Sequence, residues 1–429
     1  MKISVVGSGY VGLITAAGFA EKGHEVLCVD IDKQKVGMIN ERKPPIYEKG
    51  LQEILDHVVP EKLKATLDLE SAVLGTEVTF ICVGTPSDDD GSINLKYVKE
   101  VSAQLGRILK KKKTYHVVVV KSTIIPGSTE EHVIPALERE SGRKAGKDFG
   151  VVMNPEFLRE GVAVVDFMNP DRIVIGSYDA KSGDVIESLY YKFKAPVLRV
   201  SLKTAEMIKY TANSMLATKI SFINEVGNVC KKLGVDVYDV AKGIGLDHRI
   251  GPHFISAGPG FGGSCFPKDV KALVHKAEEV GVKTLLLESV LAVNDNQPKV
   301  LTGLLKSKYK LKGLKVAVLG LAFKAGTDDV RESPAIPIIE SIAAEGAVIA
   351  AYDPKGLENA KKIFGGRISY CLSAEEALKG SELALILTEW EEFKTLDFSM
   401  MGKKRVFDAR HIINTDLLAD DVEYEGLCW

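Results

Sequence analysis

Short apolar runs alternate with segments whose apolar positions recur at helical spacing along the first part of the chain. The runs at 2–6, 25–30, 78–83, 116–121 and 150–153 read as strands, rich in Val and Ile and too short for helices. Between them, 11–22, 95–109 and 130–140 carry apolar residues at helical period and read as helices. Two more strands are expected at 172–176 and 197–200. This βαβα order implies a mostly parallel sheet with helices on both faces. The texture changes after Leu202. Residues 205–233 predict one long helix without a proline, with Met207, Tyr210, Met215, Ile220, Ile223 and Val226 spread over more than one face. Such a helix must bury those faces, which predicts a homodimer formed through it. Further helices are expected at 270–280 and 285–306. From Leu314 the alternation resumes, with strands expected at 315–319, 348–352, 383–387 and 405–407 and a helix at 335–345.

The expected fold is therefore α/β: two Rossmann-like doubly wound α/β domains joined by a central long-helix region. The boundaries are 1–200, 201–307 and 308–429. Composition adds little to this picture. Hydrophobic residues make up 45% and charged residues 27%, ordinary for a globular protein. The formal net charge of -2 gives no global field to recruit nucleic acid or an acidic membrane. The run Lys110 to Lys113 reads as a solvated helix end. Six scattered cysteines (Cys28, Cys82, Cys230, Cys265, Cys371 and Cys428) include no C-x-x-C pair, so neither a metal site nor a disulfide framework is expected. Reduced thiols predict a cytoplasmic protein. The first strand begins at once, which leaves no room for a signal peptide, and no apolar stretch approaches the roughly 18–20 residues of a membrane span.

Gly7-Ser8-Gly9-Tyr10-Val11-Gly12 fits G-x-G-x-x-G where the mechanism needs it, after a strand and opening a helix. Gly7 makes the turn, Gly9 lets backbone approach a pyrophosphate, and Gly12 permits close helix–strand packing. Asp30 ends the next strand, where a carboxylate accepts from ribose hydroxyls and repels a 2′-phosphate. This favours NAD over NADP, although the nearby Lys35 could tolerate that phosphate. The later stretch Gly320-Leu321-Ala322-Phe323-Lys324-Ala325 keeps only the first glycine. It reads as a nucleotide-binding relative that does not hold the dinucleotide.

Gly260-Phe261-Gly262-Gly263-Ser264-Cys265-Phe266-Pro267-Lys268-Asp269 places a cysteine after a glycine run that leaves room for a substrate, and before a helix expected near Pro267. A helix N-terminus and a neighbouring cation both favour thiolate. A nucleophilic thiol beside a hydride acceptor implies oxidation past an aldehyde, through a thioester, to a carboxylate. Lys209 and Asn213 stand one turn apart on the long helix, and Glu156 and Glu160 have the same spacing. Thr123 follows a strand end, where parallel sheets bind ligands. From spacing alone, solvated surface charges are the more frequent reading for the lysine and both glutamates, and a buried inert thiol is an equal one for Cys265.

The motifs together resemble the UDP-glucose 6-dehydrogenase family, within the UDP-glucose/GDP-mannose dehydrogenases, over essentially the whole chain. The glycine turn and the 260–269 stretch carry it, with Pro45-Ile46-Tyr47-Glu48-Lys49-Gly50-Leu51, Gly84-Thr85-Pro86, Lys121-Ser122-Thr123, Asn154-Pro155-Glu156-Phe157, Glu160-Gly161, Lys209 with Asn213, Phe323-Lys324, and Asp329-Val330-Arg331-Glu332-Ser333.

The resemblance implies a four-electron oxidation of a sugar C6 alcohol using two NAD and one water, with Cys265 as nucleophile. It implies Lys209 as the cation on developing oxyanions, Asp269 as its partner in ordering water or relaying the alcohol proton, and Asn213 as a donor to the same oxygen. Thr123 would position water or nicotinamide, Glu156 would act as base for hydrolysis, and Glu160 would support water or cofactor. The cofactor set is Gly7, Gly9, Tyr10, Val11, Gly12, Asp30, Lys35, Thr85, Thr123, Glu160 and Arg331. For the UDP-sugar it implies Glu156, Phe157, Leu158, Arg159, Lys209, Asn213, Arg249, Phe254, Gly260, Cys265, Phe323, Lys324 and Arg410. Arg249 would come from the neighbouring subunit. The expected substrate is UDP-glucose. The alternatives are a sister enzyme for UDP-N-acetylmannosamine, UDP-N-acetylglucosamine or GDP-mannose, a two-electron hydroxyacid dehydrogenase, and a non-catalytic NAD-sensing scaffold.

Overall fold

Four consecutive valines, Val117–Val120, show why a strand forms in the middle of the first sheet. Branched β-carbons pack well on a pleat and crowd a helix, and all four side chains are fully buried. Val117 and Val119 enter one core with Ile3, Val5, Leu13 and Phe19, while Val118 and Val120 enter a second with Leu105, Leu109 and Leu137. A strand buried on both sides requires helices on both sides.

A computed structural model describes all 429 residues, Met1–Trp429. The chain divides into two units, Met1–Ala212 and Asn213–Trp429. In the first, the strands are β1 (Lys2–Val6), β2 (Glu25–Val29), β3 (Leu63–Thr66), β4 (Val78–Ile81), β5 (Val117–Val120), β6 (Gly150–Met153), β7 (Ile173–Ser177) and β8 (Val197–Val200). Their order is β3-β2-β1-β4-β5-β6-β7-β8, parallel throughout except between β6 and β7. In the second, β9 (Lys315–Leu319), β10 (Val348–Tyr352), β11 (Ser369–Tyr370), β12 (Leu383–Ile386), β13 (Arg405–Asp408) and β14 (Glu423–Gly426) lie in the order β11-β10-β9-β12-β13-β14. Both sheets thus reverse direction beside their first strand, between β1 and β4 and between β9 and β12. In open parallel sheets, ligands bind beyond the strand ends at that switch point.

The α/β expectation holds, and the expected strands and long helices appear within a few residues of their limits. The sequence pattern missed β3, β11 and β14, which are short, charged or at sheet edges. It also missed the helix Val237–Gly245. The long helix runs Leu202–Leu233. The expected 130–140 helix begins as a π-turn, Thr129–Val133, before the α-helix Ile134–Ser141. Fully buried Glu206 accepts there from the amides of Gly127 (2.6 Å) and Thr129 (2.9 Å) and from the Thr129 hydroxyl (2.6 Å).

The lysine run is not a solvated helix end throughout. Lys110, Lys111 and Lys113 are exposed, but Lys112 is buried. Its ammonium donates to the carbonyls of Val73 (2.7 Å), Leu74 (3.0 Å) and Thr76 (2.5 Å), closing the end of the helix Leu69–Leu74. A cation beside a helix C-terminus also meets the negative end of the dipole. No helix is long and apolar enough to cross a membrane.

Candidate active site

The dinucleotide turn separates glycines that the fold needs from one that it does not. A β-carbon on Gly7, whose φ is +98°, would lie 2.8 Å from the Cys82 carbonyl oxygen, and one on Gly12 would lie 1.8 Å from the Gly7 oxygen. A β-carbon on Gly9 would meet nothing within 4 Å. Gly9 is the N-cap of the helix Tyr10–Glu21, so its bareness keeps a helix N-terminus open to an incoming group. That arrangement fits a dinucleotide pyrophosphate. Asp30 closes β2. One of its oxygens accepts from the Ser8 amide and hydroxyl (2.6 Å each) and the other from the Asp32 amide (2.9 Å). Partial burial works against its charge, but these hydrogen bonds and Lys35 outweigh it, and its pKa lies below the usual range. A carboxylate has about four acceptor sites, so capacity remains for a ribose hydroxyl.

The second sheet carries the counterpart, Asp353, at the corresponding strand end. It accepts from the amides of Leu321 (2.7 Å), Ala322 (2.9 Å), Lys355 (2.9 Å) and Gly356 (2.6 Å) and from the Trp390 indole (3.1 Å). Five donors from its own unit fill that carboxylate. The two sheets share an order and differ in whether the acid has room for a ligand.

Beyond the ends of β5 and β6, the first unit buries a polar cluster. Lys209 and Glu156 pair at 2.8 Å with almost no exposure. The other Glu156 oxygen accepts from the Leu158 amide at 2.6 Å. Burial would raise the Glu156 pKa, but Lys209, the Leu158 amide and the Lys121 charge overcome it and hold the carboxyl below its usual range. Lys121 is itself buried, donates to the Asn154 side-chain oxygen at 3.0 Å, and is pushed down to about 8 by burial. Tyr190 donates to the same Asn154 oxygen at 2.5 Å. Thr123 and Thr85 meet, the Thr85 hydroxyl donating to the Thr123 carbonyl at 2.9 Å.

The helical spacing of Glu156 and Glu160 does not hold. No helix forms between them, because Glu156 turns inward to Lys209 and its second oxygen ties down the backbone two residues on. Glu160 lies in a half-exposed turn instead. Phe157 is overlaid by the Arg172 guanidinium at 3.7 Å, a contact with no local signature in the chain.

In the second unit Cys265 is the N-cap of the helix Phe266–Glu279, with proline in its first turn, as expected. It is the one cysteine of six that is not buried. One helical turn on, Asp269 is 1% exposed. It accepts from the Asn213 side-chain NH2 at 2.6 Å and pairs with Lys268 at 2.5 Å. The glycine run has a different purpose from the one expected. A β-carbon on Gly262 would lie 2.2 Å from the Glu332 carbonyl oxygen, and one on Gly263 about 2.7 Å from the Phe323 ring. These glycines admit the neighbouring loop, not a substrate. Gly260 does have a left-handed φ, +120°.

Sequence reasoning missed the amides that fix this loop. Asn294 holds Phe261 on both sides, accepting from its N–H at 2.7 Å and donating to its carbonyl at 3.1 Å. Asn224 accepts from the Gly258 N–H at 2.8 Å, and Gln297 donates to the Gly258 carbonyl at 3.0 Å. No local signal marked them, since each bond joins residues more than thirty positions apart. Phe254 takes a left-handed φ of 62° and packs 6.2 Å from the Phe266 ring. A bulky residue held there is strained, and such strain clusters at ligand sites.

The expected arginines are engaged locally. Arg159 forks onto Asp166, Arg249 onto Asp247 and Arg331 onto Asp329. Arg410 donates to the carbonyls of Leu387 and Phe323 and pairs with Glu389 at 3.3 Å. It therefore joins Phe323, the residue before Lys324, to the end of β12.

Three family descriptions match the chain: the UDP-glucose/GDP-mannose dehydrogenase NAD binding domain over residues 1–194, its central domain over 203–296, and its UDP binding domain over 317–415. The UDP-glucose 6-dehydrogenase AglM of Haloferax volcanii is 43% identical, with all of both chains covered. A GDP-mannose 6-dehydrogenase of Pseudomonas savastanoi is 39% identical, also over the whole of both chains. The solved UDP-glucose dehydrogenase of Pyrobaculum islandicum superposes with a TM-score of 0.94 at 41% identity, covering 100% of this chain and 97% of that one.

The buried charges predict a pH signature. Lys121 titrates near 8 in the folded protein against 10.5 for the ordinary group, so the unfolded chain holds more protons between those values and stability rises with pH across them. Glu156 is one of the charges holding Lys121 up, so Glu156→Gln moves the lower edge of that window toward neutrality. Urea unfolding of the variant should gain stability with pH more steeply than the native protein between about pH 6 and 8, the added slope being at most about 1.4 kcal/mol per pH unit for this one group. Equal slopes would contradict the electrostatic reading of the cluster.

Proposed function

This chain belongs to the UDP-glucose/GDP-mannose dehydrogenase family, and on that premise we propose that it oxidises C6 of UDP-glucose to a carboxylate, using two NAD and one water. It is an NAD-dependent oxidoreductase. The observation that carries the proposal is Cys265: a single accessible thiol at a helix N-terminus, one turn from a buried aspartate already bonded to Asn213.

NAD held at the Gly7–Gly12 turn and Asp30 would supply the hydride acceptor for each of the two oxidations at C6. Lys209 stabilises the alkoxide of the first, and Asp269 with an ordered water takes the alcohol proton. The Cys265 thiolate then attacks the aldehyde carbon. A C–S bond forms, the carbonyl pair moves to oxygen and is protonated, and the resulting thiohemiacetal has a hydride to lose where the aldehyde had none usable. Its oxidation leaves a thioester on Cys265. Water adds to that carbonyl with Glu156 removing its proton, the C–S bond breaks, and the thiolate departs with the acid released. Glu156 at rest is a weak base because Lys209 holds it ionised. When Lys209 turns to the oxyanion, burial of Glu156 loses its largest counterweight and its basicity rises.

Thr123, Thr85, Lys35 and Arg331 are assigned to the cofactor, Glu160 to water or cofactor, and Phe157, Leu158, Arg159, Arg249, Phe254, Gly260, Phe323, Lys324 and Arg410 to the UDP-sugar. The organisation 1–200, 201–307 and 308–429 follows this division of labour, and the scattered cysteines suit a cytoplasmic setting. The full-length similarity to a GDP-mannose 6-dehydrogenase supports a second reading in which the sugar differs and the chemistry is unchanged.

The assembly proposed is a homodimer through the long helix. Met207, Met215, Phe222, Val229 and Leu233 lie at helical spacing and are 43–71% exposed, a stripe that a second copy would cover. Phe222→Asp should halve the sedimenting mass; an unchanged mass would remove the helix from the interface.

Supplied with NAD and one nucleotide sugar at a time, the protein should release two NADH per UDP-glucose. One NADH per sugar would indicate a two-electron enzyme, none a non-catalytic protein, and two from another sugar the sister activity. Cys265→Ser should yield no acid, and undiminished acid from that variant would refute covalent catalysis.

A further inference from the structure

Glu48 is a carboxylate with only 6% exposure that the proposed reaction does not use. Both its oxygens are engaged. One accepts from the Tyr10 hydroxyl in a very short contact and from the Gly161 amide at 2.7 Å, and the other accepts from the Ala163 amide at 2.7 Å. The Gly161 amide is shared with the Tyr10 oxygen at 3.0 Å. Tyr10 is the first residue of the helix whose N-terminus the glycine turn leaves open. Gly161 directly follows Glu160 and takes a left-handed φ of +83°. Glu160 is close enough for its charge to add to the burial and the Glu48 contact that raise the Tyr10 pKa. A buried acid thus joins two chain segments far apart in sequence, one at the cofactor turn and one carrying a candidate catalytic glutamate.

We propose that Glu48 is a positioning residue that ties the dinucleotide turn to the Glu160 loop, so that cofactor occupancy sets where that loop sits. The physical basis is the sharing of acceptors. A pyrophosphate settling on the helix N-terminus fixes Tyr10, the Tyr10 hydroxyl fixes one Glu48 oxygen, and that oxygen fixes the amide beside Glu160. Charge-assisted hydrogen bonds are the strong members of such a chain, and buried ones leave little slack. The role of Glu160 rests on the proposed function. The junction itself rests only on NAD binding, so it can be tested without any sugar, and failure of the sugar assignment would show in NADH yield instead.

The test is amide hydrogen exchange of the full chain with and without saturating NAD. In the native protein NAD should slow exchange at Gly161 and Ala163 as well as at the glycine turn. Tyr10→Phe keeps both amides on Glu48 but cuts the link to the turn. The NAD-dependent slowing at Gly161 and Ala163 should then fall about tenfold while that at the turn persists. Glu48→Gln cannot accept from both amides, since its NH2 group faces one of them, and should speed their exchange even without NAD. A general loss of structure would speed exchange everywhere and would not erase the NAD effect at those two amides alone. The proposal is overturned if NAD leaves Gly161 and Ala163 unaffected in the native protein, or if the slowing there is unchanged in Tyr10→Phe.

Discussion

A lysine and a glutamate buried together, Lys209 and Glu156, are the constraint from which the first unit's chemistry follows. Removing two charges from water is costly, and such a pair often adds little to stability compared with apolar residues of the same size. In the proposed mechanism its value would be to have charge in place before any substrate arrives, so that no solvent has to reorganise when an oxyanion forms. The surroundings fit that purpose. A second buried lysine, Lys121, sits in the same field with its pKa pushed down to about 8, and Asn154 anchors it.

The molecule uses the same strand order twice with different outcomes. After β1 the open Gly9 and an Asp30 with capacity to spare make a ligand-ready end. After β9 the matching Asp353 is filled by backbone amides and an indole. Duplication of a sheet does not duplicate its site; the free lone pairs of one carboxylate mark the difference.

Much of this was legible in the sequence because it depends on local chemistry. Val117–Val120 can only be an interior strand, the G-x-G-x-x-G turn needs its strand and helix, and proline after Cys265 sets the helix start. What escaped notice depends on contacts distant in the chain. The burial of Lys112 is set by carbonyls nearly forty residues earlier, and nothing in a four-lysine run distinguishes it from its neighbours. The inward turn of Glu156 depends on Lys209, which broke the helical spacing expected with Glu160. Gly262 and Gly263 are bare because Phe323 and Glu332 press on them, a reason no local reading supplies. The clamp of Asn224, Asn294 and Gln297 on the thiol loop is equally nonlocal.

The central claim is that carbon becomes covalently attached to the Cys265 sulfur on the way to the acid. Intact mass of the Glu156→Gln protein, quenched in acid after mixing with UDP-glucose and NAD, tests it most directly. The account predicts a chain heavier by one UDP-glucuronosyl group, with the added mass mapping to the peptide that contains Cys265. A chain of unchanged mass, while two NADH per sugar still accumulate, would contradict it.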